Sequence, residues 1–512
     1  MTGWMKKLCL PCAIAGGICL AATALAAMGL GRGGWLDHAA VALSMLVLAG
    51  LALFLLKFEG YGWDVVLTML LPIGVAMLVR VLCLDHASGD YNRFLCHWAE
   101  YFRENGGFGA VAHAVGDYNV PYLYFMAFIS YIPVPDIYLI KLFSLVFDVL
   151  LAWGCLRLTR CLRGKGGRDA APLIAFAAAL LLPTVVLNGA YWGQCDAIYG
   201  AFVVHAVTMV LEGKNKTSVA LMGLAFAFKL QAIFVLPLWG VLWLAKKVKF
   251  RELWVFPLTY LVVIIPAVLL GKPLSETLLV YFNQMGEYSR LTLNAPSIFQ
   301  LFPYDMTIAT DGGSPLLTGL SMMGVAAAGI FVLLLLWLGF HLRQRLDRET
   351  AFVIAVAMSI GIPFLLPHMH ERYFFLADVL TLCWACSNVR RIPAAALVQA
   401  SSAASYRVFL RLKFNWWFEV AGHRYVMIPE MLLMMAALAL SIQALYRRVR
   451  AADDLAYVQR ALEPIREETE TDRLTQRRWE ERCARVRKQK LHEKAQARRA
   501  HRRQQPDETA GE

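Results

Sequence analysis

The chain has 512 residues, of which 59% are hydrophobic and only 17% are charged, and its formal net charge is +13. Soluble globular proteins usually contain about 25% charged residues, so this composition excludes a large soluble body as well as a disordered or collagen-like chain. Residues 447–512 hold 18 of the 50 lysines and arginines, which leaves the preceding sequence poorer still in charge. We therefore predict an all-α polytopic membrane protein that ends in a charged tail.

Apolar runs long enough to cross a bilayer follow one another along the chain. The run 217–245 is too long for one span and is interrupted by Lys229 and Gln231, so we divide it into two short spans that meet there. The stretch 393–410 is a weaker span because it is rich in Ala and Ser. The total is about 14 transmembrane helices. The other predicted spans are 8–30, 36–56, 64–84, 137–156, 171–187, 194–211, 253–270, 316–340, 350–366, 372–387 and 426–446.

The first span has two interpretations. Lys6 and Lys7, an apolar core and the small residues Ala24–Ala27 fit a retained helix and also a cleavable signal peptide. Both interpretations apply to the first predicted domain, 1–63, which is either a transmembrane hairpin or a signal-anchor plus one span. The other predicted domains are the main transmembrane core at 64–390 with an outer loop at 85–136, the C-terminal spans at 391–446 and a charged cytoplasmic tail at 447–512.

Lysines and arginines predict the orientation, because short basic loops stay in the cytoplasm. Threading the predicted spans places every basic connection on one side, so both termini are expected to be cytoplasmic in a cell-membrane protein. These connections are Lys6–Lys7, Arg157–Arg168, 214–216, 246–251, 343–348, 390–391 and the tail from Arg447. The outer side then receives 85–136, the turns near 188–193, 229–231 and 367–371, the loop 271–315 and the segment 411–425.

The first large outer loop, 85–136, is acidic and aromatic. It carries Asp85 and Asp90 close to the membrane surface, where partial desolvation can make a carboxylate a general base. The alternative for Asp90 is that it caps a helix beginning near Tyr91, since Asp is a favoured N-cap residue. The apolar run 120–132 is too short to span and is predicted to be an interfacial or re-entrant helix.

Two further polar groups interrupt apolar sequence on the outer side. The turn 188–196 contains Tyr191, Gln194 and Asp196, and its alternatives are a functional acidic turn or an interfacial aromatic anchor with a capping Asp. Lys229 lies between apolar spans, where a charge is costly. It either snorkels to the outer surface or binds an anion such as a phosphate.

The densest polar group is His368-Met-His370-Glu371-Arg372-Tyr373, at the outer start of a predicted span. Arg372 offers a bidentate fork for a phosphate, and the histidines offer further donors. The His-X-His-Glu spacing also suits a metal, but no fourth ligand is identifiable, so a divalent metal is unsupported and no cofactor is predicted. Walker A and GxGxxG phosphate loops are missing from the sequence, which argues against soluble nucleotide chemistry and gives no reason to expect a nucleic-acid partner.

These segments together resemble the membrane glycosyltransferases of the GT-C superfamily, and most closely the bacterial GPI-mannosyltransferase-like proteins and the dolichyl-phosphate-glucose glucosyltransferases. The likeness covers about 64–390, and Val120 departs from it by replacing the first proline of a Tyr-Pro-Pro segment. The matching segments, in the family's order, are GDYNRFLCHW (89–98), YNVPYLY (118–124), YWGQCDAIY (191–199), FKLQAIFVLP (228–237) and HMHERYFF (368–375).

The resemblance implies a GT-C-like helix bundle that transfers a hexose, with mannose favoured, from a polyprenyl-phosphate-sugar donor to a lipid- or glycan-linked hydroxyl. It implies inversion at the anomeric carbon, with Asp90 as the base and Asp85 as a secondary candidate. The implied donor-phosphate ligands are Lys229, His368, His370 and Arg372. The implied substrate-binding residues are Tyr118, Tyr191, Gln194, Asp196, Gln231, Glu371 and Tyr373.

The sequence leaves two other functions open. A transporter or lipid-linked-sugar flippase would show internal repeats and midplane polar residues, and the sequence shows neither. A polysaccharide polymerase or ligase would need a large late outer loop, and 271–315 is of moderate size. The tail 447–512 is expected to be a solvated helix with ion pairs, or disordered, with weak attraction to anionic lipid.

Overall fold

The computed structural model describes residues 2–113, 115–116, 118–164, 169–283, 290–302, 315–412 and 427–503. The chain divides into two compact units, residues 1–446 and 447–512. Most of the predicted outer segment 411–425 lies outside the described residues, as do 303–314 within the predicted loop 271–315 and 165–168 within a predicted basic loop.

The described chain is almost entirely helical. Its only strands are β1 (Thr292–Leu293) and β2 (Met369–His370), which pair in parallel. The α-helices are α1 (Thr2–Met28), α2 (Trp35–Phe58), α3 (Trp63–Val81), α4 (Cys96–Glu104), α5 (Val120–Ile129), α6 (Asp136–Arg163), α7 (Ala171–Leu181), α8 (Pro183–Val186), α9 (Asp196–Leu211), α10 (Asn215–Phe228), α11 (Pro237–Leu244), α12 (Phe250–Leu253), α13 (Val255–Leu269), α14 (Leu274–Asn283), α15 (Pro315–Leu342), α16 (Arg348–Leu365), α17 (Phe375–Ser387), α18 (Ile392–Leu410) and α19 (Ile428–Arg503).

Within the described residues, eight helices are long and apolar enough to cross a membrane. A ninth crossing is formed if the bent pair 171–181 and 183–192, with its 42° break, counts as one span. This confirms an all-α polytopic membrane protein but does not reproduce the total of about 14. The predicted spans at 194–211, 217–245 and 372–387 correspond to helices of only 8 to 16 residues, and these are packed largely inside the protein.

The break within 217–245 is confirmed. α10 ends at Phe228, Lys229 adopts an extended backbone (φ −156°, ψ 133°), and a 3-10 turn at Leu230–Phe234 leads to α11. A lysine in the middle of an apolar run is costly in a continuous spanning helix. The break instead places Lys229 at a helix end, where the surrounding protein can supply a partner.

α3 leads directly to the loop 85–136, and its position is fixed by a buried ion pair. Arg80, near its end, forms a 2.9 Å ion pair with Asp148 of α6, and both side chains are fully buried. Beyond the helix, the Lys141 ammonium group donates to the backbone carbonyl oxygens of Cys83 and His86 at 2.9 and 2.8 Å. The start of the loop is therefore held against α6.

The loop 85–136 folds into short helical pieces: a π-helical turn at Tyr91–Leu95, α4, a 3-10 turn at Gly107–Ala112, and α5. α5 has 10 residues and is mostly buried, so it is too short to cross a bilayer, as predicted. The Asn119 side chain precedes α5 and donates to the carbonyl oxygen of Ala227 at 2.9 Å. This bond ties the end of the loop to the end of α10.

The opposite helix ends carry a separate ionic group. Glu59, at the end of α2, pairs with Arg157 and Arg160 near the end of α6, and Arg157 also lies 3.5 Å from Glu212 after α9. Since α6 starts beside the outer loop and ends here, the basic connections and the acidic loop lie at opposite ends of the bundle.

Candidate active site

Asp90 does not cap a helix. Its backbone is already helical (φ −70°, ψ −37°) and its side chain makes no capping hydrogen bond. The Ser88 hydroxyl takes that role instead, accepting from the Tyr91 amide at 3.1 Å while donating to the Trp192 carbonyl oxygen at 2.7 Å. The capping interpretation of Asp90 is therefore wrong, and its half-buried carboxylate is available for other contacts.

The Asp90 carboxylate is held through one oxygen. The indole Nε1 of Trp192 donates to Oδ2 at 2.9 Å, and the Gln194 amide Nε2 donates to the same oxygen at 2.6 Å. Both donors come from the acidic turn that follows α8. The two acidic segments predicted from the sequence thus meet in space.

The turn between α8 and α9 is built to present these donors. It is π-helical over Leu187–Trp192 and then reverses at Gly193, whose φ of +83° favours glycine. The Ser144 hydroxyl of α6 donates to the Gln194 carbonyl oxygen at 2.7 Å, so the reversed chain is anchored on a spanning helix. Gln194 therefore reaches Asp90 from a fixed backbone.

Asp196 lies at the centre of the buried charge. Its Oδ1 accepts from the Lys229 ammonium group, its Oδ2 accepts from the Asn188 side chain at 2.7 Å, and the Arg372 Nε lies 3.9 Å from Oδ2. Asp196 is only 1% exposed and Lys229 only 6%. Lys229 therefore does not snorkel to the surface, and Asp196 is not simply the cap of an interfacial anchor.

The third segment completes the cluster from a 3-10 turn at Glu371–Phe374. The Arg372 guanidinium lies 3.7 Å from the fully buried Glu371 carboxylate. Burial raises the pKa of Glu371 to about 7, although the charge of Arg372 opposes this rise. Burial, together with the charges of Arg372 and Lys229, holds the pKa of His370 well below its usual range, so this imidazole is neutral near pH 7.

Tyr118 and Tyr373 line the cluster. The Tyr118 hydroxyl donates to the Gln194 side-chain oxygen at 3.3 Å, and its ring lies 5.8 Å from the Lys229 nitrogen. The Tyr373 ring lies 5.1 Å from His370 and 5.7 Å from the Arg372 guanidinium carbon. An unbroken series of contacts therefore connects the Asp90 carboxylate to the two buried cations.

Four residues from the predicted set lie elsewhere or contribute little to this network. Asp85 accepts from the Gly31 amide at 3.0 Å and from the Tyr138 hydroxyl at 2.6 Å, so the geometry gives it an anchoring role between α1 and α6 and does not support it as a base. The His368 imidazole bonds the Arg290 carbonyl oxygen at 2.6 Å instead of joining Lys229.

Tyr191 and Gln231 are the other two predicted site residues that lie elsewhere or contribute little to this network. The Tyr191 ring stacks on His86 with centroids 3.7 Å apart, at the rim near the start of the outer loop. Gln231 is buried in the 3-10 turn after Lys229, and its side-chain oxygen makes no hydrogen bond within the described residues.

Sequence patterns alone miss residues that hold the site together. Trp192 lies inside one of the matching segments without a role of its own, and Asn188 reads only as a turn residue. Tyr406 and Phe409 come from α18, where their rings lie 5.5 and 4.7 Å from the Trp192 ring. The only available signal for α18 is an Ala/Ser-rich stretch of weak apolar character, which does not reveal a contact with the site.

The cluster combines three carboxylates, Asp90, Asp196 and Glu371, with two cations, Lys229 and Arg372. Across the described residues, the structure brings no three His, Cys, Asp or Glu side chains into an arrangement that could hold a metal. A half-buried carboxylate beside buried cations is suited to accepting a proton while negative charge develops on a neighbouring oxygen.

Comparison with known proteins finds a family that matches part of the chain. The model of glycosyltransferase family 87 matches residues 118–367, just under half of the chain. The match includes Tyr118, Gln194, Asp196 and Lys229 and ends immediately before His368. No curated protein matches the chain. Over this region the chain is similar to the glycosyltransferases of family 87, which supports its assignment as a membrane glycosyltransferase.

Proposed function

We propose that the protein transfers a hexose from a polyprenyl-phosphate-sugar donor to a hydroxyl acceptor at the extracytoplasmic face of the cell membrane, with inversion. The observation that carries this proposal is the connection of Asp90 through Gln194 and Tyr118 to the buried cations Lys229 and Arg372. Mannose is the favoured sugar on the GT-C resemblance alone.

In the proposed reaction, Asp90 removes the proton from the acceptor hydroxyl. The acceptor oxygen then forms a bond to the anomeric carbon, while the bond from that carbon to the lipid-phosphate oxygen breaks. The electron pair leaves with the phosphate, whose added charge is met by Arg372 and Lys229. Because this charge is stabilised directly, the leaving group needs no protein acid.

Arg372 is the better placed of the two cations to receive a phosphate. Its nearest carboxylate oxygens lie 3.7 and 3.9 Å away, which is longer than a charge-assisted hydrogen bond, whereas Lys229 is hydrogen-bonded to Asp196. His370 adds a neutral donor beside Arg372. Asp196, and Glu371 when it is ionised, offset the positive charge of the two cations.

The extracytoplasmic orientation is supported by the two ends of the bundle. The candidate site lies where α3 and α10 end and α9 begins, whereas Arg157 and Arg160 lie at the other end of α6. Since basic ends are retained in the cytoplasm, this arrangement supports an outward-facing site, which a lipid-linked donor would enter from the membrane.

The alternatives differ in their products. A flippase would be favoured by a wide separation of Asp90, Lys229 and Arg372. Trp192 contacts both Asp90 and Arg372, and Asp196 lies beside both Lys229 and Arg372, which disfavours it. A polymerase or ligase would use the same outer face, but it would add many sugars or a preassembled glycan. Mass spectrometry of the product distinguishes these outcomes, because a simple hexosyltransferase adds one hexose mass to the acceptor.

The decisive assay uses the purified full chain in lipid nanodiscs, radiolabelled polyprenyl-phosphate-mannose and an extract of membrane lipids as acceptor. Asp90→Asn is expected to reduce turnover by at least about a hundredfold, since general base catalysis contributes about 10²–10⁴-fold, with an unchanged melting temperature. Asp85→Asn is expected to lower stability and keep turnover. If D90N retains turnover and D85N abolishes it, the assignment of the base is wrong.

A further inference from the structure

Trp192 is fully buried and contacts both sides of the candidate site. Its indole Nε1 donates to Asp90 Oδ2 at 2.9 Å. The face of the same ring lies 5.5 Å from the Arg372 guanidinium carbon, within the range of a cation–π contact. One rigid side chain thus touches the proposed base and the proposed phosphate-binding cation.

We propose that Trp192 is a positioning residue for the transfer reaction, which fixes the separation between the Asp90 carboxylate and the Arg372 guanidinium. This inference rests on the proposed function. In a displacement reaction the base and the leaving-group cation act on opposite sides of the transferred sugar, so their separation must match the reacting atoms. Misplacement by about 1 Å can cost about a hundredfold in rate.

Trp192 is held by three contacts, two to its ring and one to its backbone. Phe409 stacks on it with centroids 4.7 Å apart and planes 21° apart, and Tyr406 meets it edge to face at 5.5 Å. Its backbone carbonyl oxygen accepts from Ser88, two residues before Asp90. α18 therefore contributes to the site through its contacts with Trp192.

The hydrogen bonds also distinguish the two oxygens of Asp90. Both Trp192 and Gln194 donate to Oδ2, so Oδ1 is the oxygen left to receive the acceptor proton. Loss of either donor therefore leaves the carboxylate freer to rotate away from the geometry in which Oδ1 receives the proton.

The test compares Trp192→Phe with Trp239→Phe in the full chain in nanodiscs. Trp239 is also buried, and its indole donates to Ser218 at 3.0 Å in α10, away from the cluster. Both variants keep an aromatic ring and lose one N–H donor. W239F therefore reports the effect of the same chemical change without the contact to Asp90.

W192F is expected to lower kcat about tenfold, because a hydrogen bond to the proposed base is lost. The donor KM stays within about twofold of wild type, since the phenyl ring preserves the contact with Arg372. W239F should leave both kcat and the donor KM unchanged. Trp192→Leu, which also loses the ring, should raise the donor KM.

If W192F matches W239F in kcat, the positioning role is overturned. Phe409→Leu, which loosens the indole, provides an independent variant should W192F fail to fold; unchanged kcat in F409L would also overturn the role. An inactive wild type would instead refute the proposed function.

Discussion

Lys229 and Asp196 form an ion pair whose side chains are only 7% and 1% exposed, at the point where α10 breaks. A buried charge that loses its partner costs about 3–5 kcal/mol, so the pair holds the acidic turn to the end of α10 as well as supplying charge to the site. Its structural and chemical contributions can be separated by mutation.

We expect Lys229→Met to lower the free energy of unfolding by about 3–5 kcal/mol, because Asp196 is left without its main cation. The double variant Lys229→Met/Asp196→Asn removes both charges and should recover much of that stability but none of the lost transfer. Thermal unfolding in detergent and the nanodisc transfer assay measure the two effects. Recovery of activity in the double variant would contradict the role of Lys229 at the phosphate.

For the ion pair between Arg80 and Asp148 we expect an effect on stability without a specific loss of transfer activity. Both side chains are fully buried, and Arg80 also donates to the Leu180 carbonyl oxygen at 2.7 Å. Arg80→Leu should destabilise the protein by about 3–5 kcal/mol, whereas Arg80→Leu/Asp148→Leu should be close to wild type, as for other buried pairs replaced by apolar residues.

In the same pair of variants, kcat and donor KM measured on the folded fraction should be unchanged. The pair joins α3 to α6, and among the described residues it makes no contact with Lys229 or Arg372. A specific loss of kcat in a stable double variant would show that this ion pair acts on the site.

Much of the candidate site could be predicted because its residues carry charge inside apolar sequence. The break at Lys229 follows from the cost of a lysine in a spanning helix, and Asp90, Asp196 and Arg372 all occur at the ends of apolar runs. The sequence does not reveal that Ser88 is the cap instead of Asp90, two positions later, since both are favoured N-cap residues.

The features that could not be predicted depend on packing between residues far apart in the sequence. The approach of α18 to Trp192 depends on Tyr406 and Phe409, which no local pattern connects to the acidic turn. The predicted total exceeds the eight or nine candidate spans mainly because α9, α10, α11 and α17 have only 8 to 16 residues and are packed against neighbouring helices. Hydropathy records their apolar character but not what surrounds them.

The buried Glu371 carboxylate predicts a pH-dependent stability. Its pKa is raised to about 7 by burial, against an unfolded value near 4.5. Between these values the unfolded state binds fewer protons than the folded state, so this group makes stability fall as pH rises from about 4.5 to about 7. Its slope is at most about 1.4 kcal/mol per pH unit.

Glu371→Gln should remove that contribution, so its stability relative to wild type should increase from pH 5 to pH 7.5. His370 acts in the other direction, because its lowered pKa makes stability fall as pH drops below about 6.5. The difference between variant and wild type is therefore the quantity to measure, by thermal unfolding. A flat difference for E371Q would contradict the prediction.

Gly193 connects backbone geometry to the proposed base. Its φ is +83°, and a Cβ at this position would meet only the Lys141 side chain at 3.8 Å, so Gly193→Ala introduces backbone strain without a steric clash. The expected cost is about 1 kcal/mol. Because the next residue is Gln194, relief of the strain moves its amide from Asp90, and we expect kcat to fall about tenfold.

Gly213 is the matched control, with φ +81° and open space where a Cβ would lie. It follows the other end of α9, beside the basic connections. Gly213→Ala should lose about the same stability, about 1 kcal/mol, and keep full transfer activity. Thermal unfolding and kcat measured on both variants separate backbone strain from displacement of Gln194. Equal kcat values would mean that the turn does not need Gly193 to present the Gln194 amide. A loss of kcat confined to G193A would tie the left-handed backbone at this residue to the position of the base.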